Sequence, residues 1–464
     1  MALEVLLSKR NSFYWETGLQ LRFDHRILFA EENASTNPGN ATFQKGSRHV
    51  PPQFKVELVQ KWSAKCDNEH GAWCNDNGVD HEPICSLRVL NVDTKQVVES
   101  PTNCRYLALS YVWGPSRINQ MKSIPKRKEG KVDLTPVYGT LPRTIRDAIE
   151  LVQELGERFL WVDALCIDQK DDAELAKQVE QMDKIYASAL ITIVAAAERD
   201  ADAGLPGFQP QSRLSIQHSE RIQSFLLRTS LPNGIRGGIV EGSCWNRRGW
   251  TYQERLASRR CLIFTPYQVY FQCRKGYNSE DTTFRDETIP AAIGKWKGRL
   301  DSSRLDLTRK FLPFDPYQEF LSEYSSRRFT KEGDALRACS AALRFISTIY
   351  DTPLHWGLPE LVFDRALLWN YDIDSPGSRQ YRPRRRSNFP TWSWASWSGA
   401  VSYSSSYMAN KSVVRWYRLS ISGDVHEIRN CKMRRARTRQ GAWSGVNASM
   451  EAGRLSEECK PSCV

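Results

Sequence analysis

The stretch LPRTIRDAIELVQELGERFLWVDALCIDQ, residues 141–169, constrains the fold more than any other. Ile145, Ala148, Ile149 and Val152 repeat at the i, i+3, i+4, i+7 spacing of one helix face; Thr144 stands where an N-cap would, and Gly156 ends the run. After a two-residue link, Phe159, Leu160, Trp161 and Val162 form an apolar run with no polar alternation, as strands buried on both faces do. Leu175, Val179, Met182, Tyr186 and Ala189 mark a second amphipathic helix, which leads into the apolar run LITIVAA at 190–196. With YLALSYV (106–112) as the first strand, the pattern is strand, helix, strand, helix, strand. That alternation predicts an α/β fold with a parallel sheet flanked by helices.

The strand at 159–162 runs into Asp163, Asp168, Asp171 and Asp172. Carboxylates at the carboxyl end of a buried strand either cap the next helix or line the crevice in which open α/β sheets bind ligands. Capping suits Asp168 or Asp171, ahead of a helix near Asp172. It suits Asp163 poorly, because that residue follows directly on the strand, so Asp163 and Asp168 are candidates for lining a site. Ser110 and Gly114, at the end of the first strand, can face the same crevice; the plainer reading of Gly114 is a turn ahead of Pro115.

A chain of 464 residues exceeds the size at which one core stops growing, which predicts a main domain and a second region. Later segments are expected to give a helix over about 249–258, two strands at CLIF and QVYFQC, mostly helix over 300–380, and β-structure in NFPTWSWASWSGAVSYSS (388–405). The formal charge of +12 suggests nucleic acid until it is located: residues 381–440 hold thirteen Lys and Arg against Asp424 and Glu427. The excess sits in RPRRR (382–386) and KMRRARTR (432–439), which read as a solvated tail without any nucleic-acid-binding signature. No apolar run is long enough to cross a bilayer and the N-terminus lacks the form of a signal peptide, so the expected location is cytoplasmic.

Twelve cysteines in this length are no disulfide scaffold. Cys66, His70, Cys74, His81 and Cys85 cluster with spacings C-x3-H-x3-C-x6-H-x3-C that match no common structural zinc pattern. They read as buried thiols, and no metal is assigned. Cys166 and Cys261 lie in apolar runs and are expected to be packed. Phosphate-binding glycine loops, G-x-S-x-G and H-E-x-x-H are all absent, which removes the usual anchors of kinases, P-loop NTPases, dehydrogenases, serine hydrolases and zincins.

YLALSYVWG (106–114), LPRTIRDAIELVQELGERFLWVDALCIDQ (141–169), QMDKIYASALITIVAA (181–196) and RRGWTYQERLASRRCLIF (247–264) resemble, in order and spacing, the successive blocks of the fungal heterokaryon incompatibility (HET) domain. PTWSWASWSG (390–399) resembles a segment found downstream of it. The resemblance implies a role in fungal non-self recognition that ends in programmed cell death. The HET domain is distantly similar to the Toll/interleukin-1-receptor (TIR) domain, a flavodoxin-like α/β fold, some of whose members cleave NAD at the nicotinamide–ribose bond. In those, a Glu lies on a helix a few residues after a Trp, with a strand following. Trp250 to Glu254, then RLASRR and CLIF, resembles that arrangement.

By this resemblance Glu254 is the catalytic carboxylate, NAD is a substrate, and no cofactor is needed. Ser110, Trp113, Gly114, Asp163, Asp168 and Trp250 are the candidate substrate-binding residues, with Trp113 or Trp250 stacking on a ring. The alternatives are a surface Glu254 paired with Arg247, Arg248 or Arg255, a packed Trp250, and a non-catalytic module that works by self-association or by recruiting a protein partner. The expected layout is a weakly ordered leader (1–53), the HET domain (54–275, core 105–275), a C-terminal helical and β region (276–427) and a basic, disordered tail (428–464).

Overall fold

In a computed structural model, which describes residues 27–29, 48–75, 84–114, 124–125, 130–197, 200–210, 212–214, 217–222, 225–229, 231, 238–281, 314–372, 383–403, 414–419 and 423–428, the chain divides into two compact units. The first comprises residues 1–304 with 326–345, the second residues 305–325 with 346–464. The expected tail beyond 428, and most of the expected leader, lie outside the described residues.

The elements of the first unit are, in chain order, β1 (Ile27–Phe29), α1 (Glu57–His70), α2 (Ala72–Asn75), β2 (Arg88–Asn91), β3 (Gln96–Glu99), β4 (Leu107–Ser110), β5 (Val132–Asp133), α3 (Arg143–Glu154), β6 (Phe159–Trp161), α4 (Asp163–Cys166), α5 (Asp172–Glu180), α6 (Met182–Ser188), β7 (Thr192–Ala195), β8 (Ser219–Ile222), β9 (Phe225–Thr229), α7 (Ile239–Gly242), α8 (Gly249–Ala257), β10 (Arg260–Phe264), β11 (Val269–Cys273) and β12 (Tyr277–Ser279). Nine strands form one sheet in the order β12-β11-β10-β7-β4-β6-β2-β3-β5. Its centre is parallel: β10 pairs with β7, β7 with β4, and β4 with β6. Antiparallel hairpins extend both flanks, β10–β11–β12 on one side and β2–β3 on the other.

This is the α/β architecture the alternation predicts, and the hydrophobic pattern explains it. All four residues of β4 and of β7 are buried, and so are all five of β10. Ile145, Ala148, Ile149 and Val152 of α3 bury the expected stripe, and Gly156 leaves the helix at φ +75°, a conformation that L side chains rarely adopt. After β4 the chain forms β5 at the far edge, then β6 beside β4 on that same side, and then β7 on the other side, so the strand order reverses at the carboxyl end of β4. Open α/β sheets bind ligands at such a point.

Several local expectations are corrected. Thr144 does not cap α3; the helix starts behind Pro142, and the buried Thr144 hydroxyl faces the Gly204 backbone instead. The single helix expected over 175–189 is two, broken at Gln181, whose own NH bonds back to Gln178 O. Within the expected leader, Ile27–Phe29 is a strand that pairs with β9.

The second unit contains helix α9 (Asp315–Tyr324) and an aromatic core in which Phe320 stacks on Tyr324 and both rings meet Trp394 edge-on. Among the described residues of the expected β-structure at 388–405, Val401–Ser402 pairs with Asn370–Tyr371 and Trp397 makes a single bridge to Arg385. Most of the rest is turn, because Ser393 caps a 3-10 turn over Trp394–Ser396. Part of the basic run is likewise structural: Arg386 is buried and its guanidinium donates to Ala395 O.

Candidate active site

Ser110, the last residue of β4, is buried at the point where the strand order reverses. Its hydroxyl donates to Glu254 Oε2 and accepts from Trp245 Nε1 at 2.7 Å. Glu254 lies in α8 and is 7% exposed. The approach to α8 is fixed by the Thr251 hydroxyl, which donates to Trp245 O (2.6 Å) and Arg248 O (2.9 Å). Its exit is held by the Ser258 hydroxyl on Glu254 O at 2.6 Å, within hydrogen-bond reach of Thr192 on β7. The carboxyl is thus delivered by a helix locked at both ends, against the first strand of the parallel centre.

Asp163 sits two residues beyond the end of β6 and opens the one-turn helix α4. Both of its carboxylate oxygens accept from Trp113 Nε1, at 2.9 and 3.1 Å, and one also accepts from Ala164 N at 2.7 Å. Trp113, four residues on from Leu109 of β4, therefore uses its N–H to hold an acid that follows the neighbouring strand β6. The two carboxyls feel each other. Burial is the main cause that raises Glu254 to about 7 from an ordinary 4.5, and the negative charge of Asp163 adds to it. The Ser110 bond, the Arg248 guanidinium and the Tyr186 hydroxyl pull the other way. Burial, with Asp163 second, also holds Tyr111 protonated well above the usual phenol range.

The surface-acid alternative for Glu254 does not describe this geometry. Arg248 donates to Tyr111 O at 2.9 Å, and Arg255 reaches Glu241 at 3.5 Å and Gln272 at 3.3 Å. Among the described residues no arginine lies within ion-pair distance of Glu254. A buried carboxyl that changes charge near neutrality, bonded to a serine hydroxyl and facing a second carboxylate, can hold hydroxyl groups of a ligand, stabilise a developing cation, or move a proton.

The structure brings together Ser110, Trp113, Asp163 and Glu254. Gly114 follows Trp113 at φ +64°, as a turn requires; Pro115 lies outside the described residues. Asp168 is placed apart: its carboxylate accepts from Lys170 N at 3.0 Å. With Arg88, Gln169 and Lys170 it lines a cavity of about 290 Å³ whose walls include neither Ser110 nor Glu254. The helix cap is Asp171, which accepts from Ala173 N and Glu174 N. Trp250 is half-buried, packs on the core, and gives its N–H to Asp334 at 3.1 Å. Trp245 and Tyr186 enter the cluster without being expected. A Trp five residues ahead of Trp250 was the only signal for the first, and the second reads simply as a core position of its helix.

Fold and cluster define an α/β domain with a buried polar centre where the strand order of its mixed sheet reverses. The particular likeness follows from comparison. Residues 106–254 match the family described as heterokaryon incompatibility protein (HET). The match opens one residue before β4 and closes on Glu254. Heterokaryon incompatibility protein 6 (OR allele) of Neurospora crassa is 35% identical over 94 residues, 19% of this chain and 14% of that protein. Vegetative incompatibility protein HET-E-1 of Podospora anserina is 26% identical over 165 residues, 34% of this chain and 10% of that protein. The chain thus spans only a small part of the length of the relatives it matches. No solved structure matches it.

Proposed function

We propose that this chain acts in the cytoplasm in heterokaryon incompatibility, and that its Ser110–Glu254–Asp163 centre hydrolyses NAD to nicotinamide and ADP-ribose, leading to cell death. The names of the two fungal relatives support the incompatibility role. The observation that carries the chemical reading is the buried bond between Ser110 and Glu254 at the reversal point of the sheet.

The chemistry asks little more. The nicotinamide ring leaves as a neutral molecule, so no strong general acid is required, while the ribose carbon gains positive charge as the bond breaks. A carboxylate in a water-poor site stabilises that charge and can bind the ribose hydroxyls. Water supplies the oxygen that replaces the ring, and one proton is released. Ionised Glu254 performs the first task, Ser110 orients it, and Asp163, held by Trp113, adds a second negative charge in the crevice. The test is expression of the chain in a fungal host beside Glu254→Gln, with viability and cellular NAD followed together. Death with NAD loss for the parent, and neither for a folded variant, supports the reading; equal killing by both refutes the chemistry.

The second reading is a non-catalytic module that works by self-association or by recruiting another protein. Its support is that Glu254 is deeply buried and that the cavity beside Asp168 lies elsewhere. It predicts killing without NAD loss.

A further inference from the structure

We propose that Cys66, His70, Cys74 and Cys273 bind one zinc ion, and that this ion fastens the segment ahead of the HET match to the sheet strand behind it. The four ligand atoms all lie within 4.8 Å of one another. His70 Nδ1 is 3.4 Å from Cys74 Sγ and 3.4 Å from Cys273 Sγ. A tetrahedral zinc with Zn–S of about 2.3 Å and Zn–N of about 2.0 Å places its sulfur and nitrogen ligands about 3.5 Å apart, so those two separations are already those of a bound ion. Three thiols and one imidazole are among the commonest ligand sets of a closed structural site.

The local fold explains the convergence. Cys66 and His70 are four residues apart on α1 and so share a face. Gly71, at φ +47°, ends α1 and turns the chain into α2, which returns Cys74 to the same point. Cys273 ends β11, 203 positions after His70. The three cysteines are at most 2% exposed, so bulk solvent does not reach their sulfurs.

The surroundings suit an anionic centre. Three thiolates and one Zn²⁺ carry a net negative charge, which needs a cation if it is buried. Arg260, 1% exposed, puts its Nε–H on Cys66 Sγ at 3.3 Å. Its Nη2 donates to Asp67 Oδ1 and Asn75 Oδ1, both at 2.5 Å and both from the ligand-bearing segment. Paired with Asp67 on one side, Arg260 keeps its Nε–H for the Cys66 sulfur, where a thiolate ligand would accept it. The spacing C-x3-H-x3-C matched no zinc pattern because its fourth ligand comes from a strand distant in sequence. Cys85, its nearest sequence candidate, is exposed and tied to Gln181; His81 lies outside the described residues.

The experiment is metal analysis of the full chain, purified without chelators. One equivalent of zinc is expected, with X-ray absorption giving three sulfurs and one nitrogen. Cys261→Ser, a buried cysteine outside the cluster, should keep the ion, and Cys273→Ser should lose it. Arg260→Met should weaken zinc binding about 10- to 100-fold with the four ligands intact. Should Cys273→Ser fail to fold, the parent answers alone: cobalt(II) must give the intense visible bands of tetrahedral thiolate coordination, and mercurial modification of three thiols must release one zinc. A folded parent that binds less than about a tenth of an equivalent after zinc reconstitution, or that holds two of the three cysteines as a disulfide, overturns the assignment.

Discussion

Replacing Glu254 by Gln keeps the shape of the side chain and removes its charge, which turns the buried carboxyl into a measurable stability effect. Glu254 is raised from 4.5 to about 7 by burial first and by Asp163 second. A carboxyl with a higher value in the folded than in the unfolded chain favours the folded state while it is protonated. That stabilisation is complete below the unfolded value and is lost as pH rises through the folded one. The gap corresponds to about 3 kcal/mol, most of it lost between about pH 5 and about pH 8. The parent should therefore lose roughly 2–3 kcal/mol relative to Glu254→Gln over that range. Urea unfolding of both proteins at the two pH values gives the difference directly, and the comparison cancels every other titrating group. Parallel behaviour, or a parent that gains on the variant as pH rises, would mean that Glu254 is ionised throughout, with the Ser110 bond and the positive charge of Arg248 outweighing burial. The reasoning from burial would then be wrong.

Two further substitutions check the frame around the site. Asp171→Ala removes the acceptor for Ala173 N and Glu174 N and should cost about 1 kcal/mol by chemical denaturation, with no effect on the Ser110–Glu254 bond. In Gly249→Ala the new methyl group meets the Phe329 ring at the start of α8; overpacking there should cost roughly 1–3 kcal/mol and displace Glu254, so any NAD turnover should fall with stability.

Much of the first unit was legible because its signals are local. The apolar runs at 106–112, 159–162 and 190–196 became β4, β6 and β7, and the stripe from Ile145 to Val152 became the inner face of α3. The pair β10–β11 was equally readable. What failed depended on contacts distant in sequence. Periodicity from Leu175 to Ala189 cannot reveal a break at Gln181, where the side chain reaches Cys85 instead. The Trp-rich stretch at 390–399 reads as strand by composition, but in place its rings close an aromatic core and its backbone turns. At the site, the strand-end positions of Ser110 and Asp163 followed from pattern, whereas Trp245 reaches Ser110 across 135 positions and Cys273 reaches His70 across 203. No spacing rule carries either.

The most direct measurement is nicotinamide release from NAD by the purified full chain, at protein concentrations high enough for self-association, beside Glu254→Gln. The account predicts turnover that rises with pH through about 7, as Glu254 ionises, and that is lost in a folded variant. Turnover that is unchanged in Glu254→Gln, or no turnover from a chain that still kills its host, would contradict it.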